Sequence, residues 1–184
     1  MTAVQERYAI ERAKWDAHAG TTAEQIKQPR PGEDFASYAE RDSLLPGIAE
    51  FLGDLRDKRV IEYGCGLGKL TVLLAWSGAH VSAFDLSEAS VEVARRRTEM
   101  VGVEDRITFQ VAAGEELPYA DSAFDIAFGK AVLHHLDPVA GARELARILA
   151  PGGRAAFSEP LGTNPIVRFV RDHVPYLDPA QVRL

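Results

Sequence analysis

VIEYGCGLGKL, residues 60–70, sets three glycines at alternate positions, Gly64, Gly66 and Gly68, directly after an apolar run that carries Glu62. Residues 60–63 read as a short strand. Residues 67–76 read as a helix, with Leu70, Leu73 and Leu74 on one side and Gly78 as its stop. A glycine-rich turn from strand to helix lets a ligand approach the backbone and meet helix-end N–H groups. The same turn also serves simply to pack a helix on a strand. Its G-x-G-x-G spacing differs from the G-x-G-x-x-G of dinucleotide enzymes.

Working outward, residues 79–85 form a second strand ending in Asp85. Ser87 caps a helix that runs to about residue 101 and stops at Gly102. Residues 106–112 and 124–129 are the third and fourth strands. Asp137 followed by Pro138 is a helix start, with the cap first and proline next. That helix turns Val139, Ala142, Leu145, Ile148 and Leu149 inward and ends before Pro151, Gly152 and Gly153. Residues 154–159 are the fifth strand. Asn164 and Pro165 start a last helix, which Pro175 ends. Upstream, Val4, Tyr8 and Trp15 fall on one face of an N-terminal helix, residues 20–34 are a polar loop, and Leu44, Leu45, Ile48, Phe51, Leu52 and Leu55 make a helical stripe. Strands alternating with helices imply an α/β fold, a doubly wound parallel sheet covered on both faces. Its ligands bind at the carboxyl ends of the strands, near the switch in strand order. The chain divides into an N-terminal helix and linker (1–35), a ligand-binding domain (36–160) and a C-terminal helical segment (161–184).

The 184 residues suit one domain, and the formal net charge of −6 speaks against a nucleic-acid footprint. Arg95, Arg96 and Arg97 form the one dense basic run and read as a solvated helix end. Cys65 is the single cysteine, so no internal disulfide can form, which suits a reducing cytoplasm. No apolar run is long enough for a membrane span, and the N-terminus has no signal-peptide pattern.

Asp85 lies seventeen positions after Gly68, and a carboxylate there can accept hydrogen bonds from both hydroxyls of a ribose. Its alternative is a helix-start aspartate beside Ser87. Five stretches in order then resemble the class I S-adenosylmethionine-dependent methyltransferases, in the style of the ubiquinone/menaquinone and small-molecule natural-product group. They are Glu62 to Gly68, FDLS (84–87), LPYADSAFD (117–125), VLHHLDP (132–138) and LARILAPGG (145–153). The resemblance covers roughly residues 40–160 and implies a Rossmann-like sheet in the order 3-2-1-4-5.

The resemblance implies roles residue by residue. Gly64 and Gly66 pass close to the methionine part and ribose of S-adenosylmethionine, with Cys65 and Gly68 in the same turn. Cys65 is common at its position and has no chemical role. Glu62 helps hold the amino group or the loop. Asp85 binds the ribose, and Leu86 lies against the adenine. Ala113, Gly114 and Glu115 border the adenine edge. The family often has an aspartate where this chain has Ala113, which leaves backbone groups or Glu115 to meet the adenine amino group.

Methyl transfer from a sulfonium is an in-line displacement, in which positioning supplies much of the barrier reduction. A base is needed only where the acceptor must lose a proton. In some relatives the first histidine of the pair is that base, oriented by a carboxylate ending strand five. Those positions match His134 and Glu159. The plainer reading makes His134 a pocket wall and Glu159 a turn cap. His134, His135 and Asp137 are too crowded to share one metal ion. The turn FGKAV lacks the Asn/Asp-Pro-Pro-aromatic motif of amino-directed enzymes, which favours a small-molecule acceptor. Lys130 in that turn stands with the cofactor-side residues and either meets an acidic substrate or covers the loop in solvent, the second being preferred. Tyr8 and Trp15 either pin the first helix or form a lid, packing being preferred.

The family continues past strand five with a further helix and an antiparallel strand pair. Residues 160–184 carry no clear strand pair, so the sheet is expected to end at strand five. An open edge there calls for a second copy of the chain or another partner. Two rivals stand beside the methyltransferase reading: a non-catalytic or incomplete nucleoside-binding fold that needs a partner chain, and a nicotinamide oxidoreductase.

Overall fold

The computed structural model describes residues 3–22, 28–45 and 47–160. Five strands, β1 (Arg59–Tyr63), β2 (His80–Asp85), β3 (Ile107–Val111), β4 (Phe124–Lys130) and β5 (Leu149–Ser158), form one sheet in the order β3-β2-β1-β4-β5. Every pairing is parallel. The expected order is therefore met. It reverses direction between β1 and β4, which opens a crevice at their carboxyl ends.

The strands alternate their side chains between two packed faces. Val60 joins a core with Val72, Leu73, Val91, Ala94 and Phe128. Its neighbours Ile61 and Tyr63 point the other way, into a second core with Phe84, Phe124, Ala127 and Ile148. The first face is covered by α2 (Phe35–Ala39), α3 (Ile48–Leu52), α4 (Lys69–Trp76) and α5 (Glu88–Val101), and the second by α6 (Pro138–Ile148). Fully burying one such aliphatic or aromatic side chain contributes about 1.5–3 kcal/mol.

The caps fall where the sequence puts them. The Ser87 side chain accepts from the Ser90 amide at the start of α5, and Gly102 ends that helix in the left-handed region. Asp137 accepts from the amides of Val139 and Ala140, with Pro138 next.

Three expectations need correction. The stripe from Leu44 to Leu55 is no single helix: α3 spans only five residues, and Gly47 before it is left-handed at φ 75°. Leu45, Leu52 and Leu55 are buried, whereas Leu44 and Phe51 are more than half exposed. Pro151, Gly152 and Gly153 do not separate α6 from β5 but lie inside the strand, where the register against β4 shifts between Phe124 and Ile126. Gly152, at φ 79°, allows that bulge. The arginine run is not a solvated end either. Arg96 pairs with Glu92 in solvent, but Arg95 bonds the Phe109 carbonyl and Arg97 is buried, where burial lowers its pKa to about 10. The expected helix over residues 165–174 lies outside the described residues.

The N-terminal helix α1 (Ala3–Thr22) crosses the carboxyl ends of the sheet. Arg7 pairs with Glu115 at 2.5 Å, and Arg12 donates to the Leu86 carbonyl at 3.2 Å. One oxygen of Asp16 accepts from the Ser87 hydroxyl at 2.6 Å and from the Ala89 amide at 3.3 Å. A carboxylate from one helix thus reinforces the N-terminus of another.

Candidate active site

A cavity of about 310 Å³ lies at the carboxyl ends of β1, β2 and β4, within the range of small-ligand pockets. The turn after β1 forms its floor, and each glycine there has a different reason. A Cβ on Gly64 would come within 2.8 Å of Val132, so the turns after β1 and β4 touch. A Cβ on Gly68 would come within 2.7 Å of the Ala94 Cβ, so this glycine lets α4 meet α5. Gly66 has φ +49° and nothing within 4 Å of its Cβ position, and it lines the cavity. The backbone is held bare toward the cavity at Gly66, whereas Gly68 and Cys65 do not line it. Cys65 is buried, and its amide donates to the Phe84 carbonyl.

Asp85 closes β2 beside this turn. Its oxygens accept from the amides of Gly66 and Ser87, both at 2.9 Å. Each carboxylate oxygen keeps a further lone pair for a ligand hydroxyl. Burial raises its pKa, against the pull of those two amides. Glu62 is different. It is buried under the turn and accepts from the Thr71 hydroxyl at 2.6 Å. Burial pushes it up to about 8, so it is largely protonated at neutral pH. Of the two readings of Glu62, this geometry fits holding the loop.

The far wall is formed by Leu86, Ala113 and Gly114, and the roof by Tyr8, Glu11, Trp15 and His18 of α1. Tyr8 and Trp15 line the cavity, and Trp15 also packs edge-on against His18 and His135. Glu115 lines it too, yet one of its oxygens is occupied by Arg7 and by the Asp137 amide at 2.9 Å. The other is enclosed. Burial, and then this carboxylate, push the Tyr8 phenol up to about 12. Glu115 therefore ties α1 to the start of α6.

Past β4 the chain turns through Ala131, a non-glycine residue held at φ 55°. Residues so placed cost about 1–3 kcal/mol and gather at functional sites. His134 and His135 follow on one 3-10 turn. His134 Nδ1 lies 2.7 Å from Glu159, whose other oxygen accepts from the amides of Val132 and Leu133. Burial opposes these contacts, but together they hold the Glu159 carboxyl below its ordinary value. The pair expected from sequence is assembled, yet His135, not His134, lines the cavity. Lys130 is not solvated cover: it lines the cavity and is paired with Asp42 at 2.6 Å. Among the described residues no group of three His, Cys, Asp or Glu side chains is placed to hold a metal ion.

Sequence reasoning missed Glu11 and His18. With Tyr8 and Trp15 they are spaced three, four and three apart, the period of one helix face, but two of the four are polar. It also missed Leu67, Phe84 and Leu136, apolar wall residues with no signal to separate them from core.

The methyltransferase domain model matches residues 61–157, more than half the chain, and the protein belongs to that family. S-adenosylmethionine is the cofactor that this membership carries. The bare backbone at Gly66 and the lone pairs of Asp85 suit its ribose. The chain is 41% identical over 103 residues to methyltransferase GfsG of Streptomyces halstedii, covering 55% of this chain and 37% of that protein. It is 32% identical over 155 residues to the ubiquinone biosynthesis O-methyltransferase of Alkalilimnicola ehrlichii, covering 83% and 60%. A solved S-adenosylmethionine dependent methyltransferase from Mesorhizobium loti matches with a TM-score of 0.58 and 28% identity, over 66% of this chain and 55% of that one. The chain thus spans less than two thirds of the length of these relatives.

Proposed function

We propose that this chain transfers the methyl group of S-adenosylmethionine to a small organic acceptor. The observation that carries the reading is one cavity holding both the bare Gly66 backbone and the Asp85 carboxylate at the switch in strand order. The O-methyltransferases among its relatives support an acceptor of that class. Asp85 would take the ribose hydroxyls, Gly64 and Gly66 the neighbouring backbone approach, Leu86 a face of the adenine, and Ala113 and Gly114 its edge. When bound, the cofactor supplies an electrophilic methyl group on sulfur.

The protein's own contribution is orientation, exclusion of water by α1, and removal of a proton where the acceptor carries one. We assign that last role to His134, which does not itself line the cavity but whose ring stands 4.1 Å from that of His135, which does. Glu159 against the His134 Nδ1 leaves Nε2 to accept the proton. An acceptor panel with isotope-labelled cofactor, read by mass spectrometry, tests the reading. Labelled product is expected. Firm cofactor binding with no product from any acceptor would reduce the chain to a nucleoside-binding fold.

We also propose that a second copy of this chain lies along the outer edge of β5. Among the described residues β5 pairs only with β4. Leu44 and Phe51, both exposed, stand beside it, their carbonyls accepting from Ser158 and Arg154. An edge so placed is a template for another chain. Light scattering at low micromolar concentration should give a dimer, and a stable monomer would refute the contact. A cytoplasmic setting rests on the lone buried thiol of Cys65.

A further inference from the structure

His134 and His135 stand side by side, with ring centroids 4.1 Å apart and planes tilted by 41°. Each Nδ1 faces a carboxylate from a different element. For His134 it is Glu159, at the end of β5, at 2.7 Å. For His135 it is Glu11 of α1, at 3.7 Å. Trp15, one turn further along α1, meets the His135 ring edge-on at 5.9 Å between centroids. The His135 ring is thus walled by α1 on one side and by the His134 ring on the other.

We propose that His135 is a positioning residue: docked α1, through Glu11 and Trp15, fixes the His135 ring, and that ring fixes the His134 imidazole against Glu159. The inference rests on the reading of His134 as the group that takes the acceptor's proton. A ring held by one hydrogen bond at one nitrogen still pivots about that bond. A second contact on its face removes the pivot. The 3.7 Å separation is too long for a hydrogen bond, so the Glu11 carboxylate guides the ring by its own charge and Trp15 by shape. Misplacing a reacting group by about 1 Å costs up to about 10²-fold in rate. The arrangement makes a working base conditional on α1 being in place, so proton removal occurs only under a closed roof.

The test is nitrogen-15 spectroscopy of the imidazoles in the full chain, beside turnover and cofactor affinity, for the wild type and for Glu11→Ala, Glu11→Gln and Trp15→Ala. In the wild type His134 should give one form, protonated on Nδ1. In Glu11→Ala and Trp15→Ala its resonances should split or broaden as the other tautomer is populated. The turnover number kcat should fall by about tenfold to 10²-fold with the acceptor KM little changed. Glu11→Gln keeps the reach but removes the charge, and should shift the His134 spectrum in the same direction as Glu11→Ala. An unaltered His134 spectrum in both alanine variants would overturn the proposal, and so would a loss confined to cofactor affinity. The spectra need no turnover. A wild type that methylates nothing would therefore defeat the proposed function while leaving the positioning result readable.

Discussion

Gly66 and Gly68 stand two residues apart in one turn, and their replacement by alanine should fail in opposite ways. Gly68 sits at φ +76°, where a non-glycine residue costs about 1–2 kcal/mol. Its new Cβ would also lie 2.7 Å from the Ala94 Cβ and 2.9 Å from the Ala94 Cα. Backbone cannot rotate away, and overpacking of this kind costs about 1–3 kcal/mol. Gly68→Ala should therefore lose roughly 2–5 kcal/mol of stability, because α4 must move off α5. Gly66 sits at φ +49° with open space around its Cβ position, so Gly66→Ala should lose only about 1–2 kcal/mol. Its methyl group would instead stand in the cavity. Urea unfolding followed by circular dichroism gives the first quantity. Calorimetry with S-adenosylhomocysteine gives the second, where Gly66→Ala should bind at least about tenfold more weakly, a loss of about 1.4 kcal/mol. Equal destabilisation of the two variants, or wild-type affinity in Gly66→Ala, would refute the assignment of one glycine to the ligand and the other to packing.

Asp85→Ala should weaken S-adenosylhomocysteine by about 1.5–3 kcal/mol for each ribose hydrogen bond lost, read by the same calorimetry. His134→Ala should lower turnover by about 10²- to 10⁴-fold for an acceptor that must shed a proton, with cofactor affinity held; unchanged turnover would make His134 a wall. Glu62 carries a pH signature. Its folded pKa of about 8 stands above the ordinary 4.5, so the folded state holds a proton that the unfolded chain releases between those values. Its contribution to stability is full below about 4.5 and is lost as pH climbs toward 8. Glu62→Gln has no such proton, so urea midpoints at pH 5 and pH 8 should show the variant gaining on the wild type at the higher pH.

The alternation of strands and helices was legible because its stops are local. Ser87, Gly102 and the Asp137–Pro138 pair act within a few residues of themselves, and each sits where it was read. The stripe at 44–55 misled because apolar spacing outweighed Gly47, which sits left-handed ahead of α3. The bulge in β5 escaped because Pro151–Gly153 looks the same whether it ends a helix or bends a strand. For the site, the chain showed which loops converge but not which side of a loop faces inward. That is why it could not show that Gly68 packs against Ala94, that Glu62 bonds Thr71, or that His135 rather than His134 lines the cavity. The roof was visible only as a mixed polar and aromatic helix face, whose partners lie about 70 to 120 residues further along the chain.

The carboxylate that α1 lends to α5 also provides a gauge. The Ala89 amide is bonded to Asp16, whereas the next one, Ser90, is bonded to Ser87 on its own helix. When α1 lifts, the first hydrogen is released to solvent and the second stays protected. The ratio of their deuterium exchange rates would therefore report any opening of the roof, at two neighbouring amides, with no label on α1 itself. Cofactor added during such an experiment would show, as a change in that ratio, whether the closed arrangement is the one that holds it.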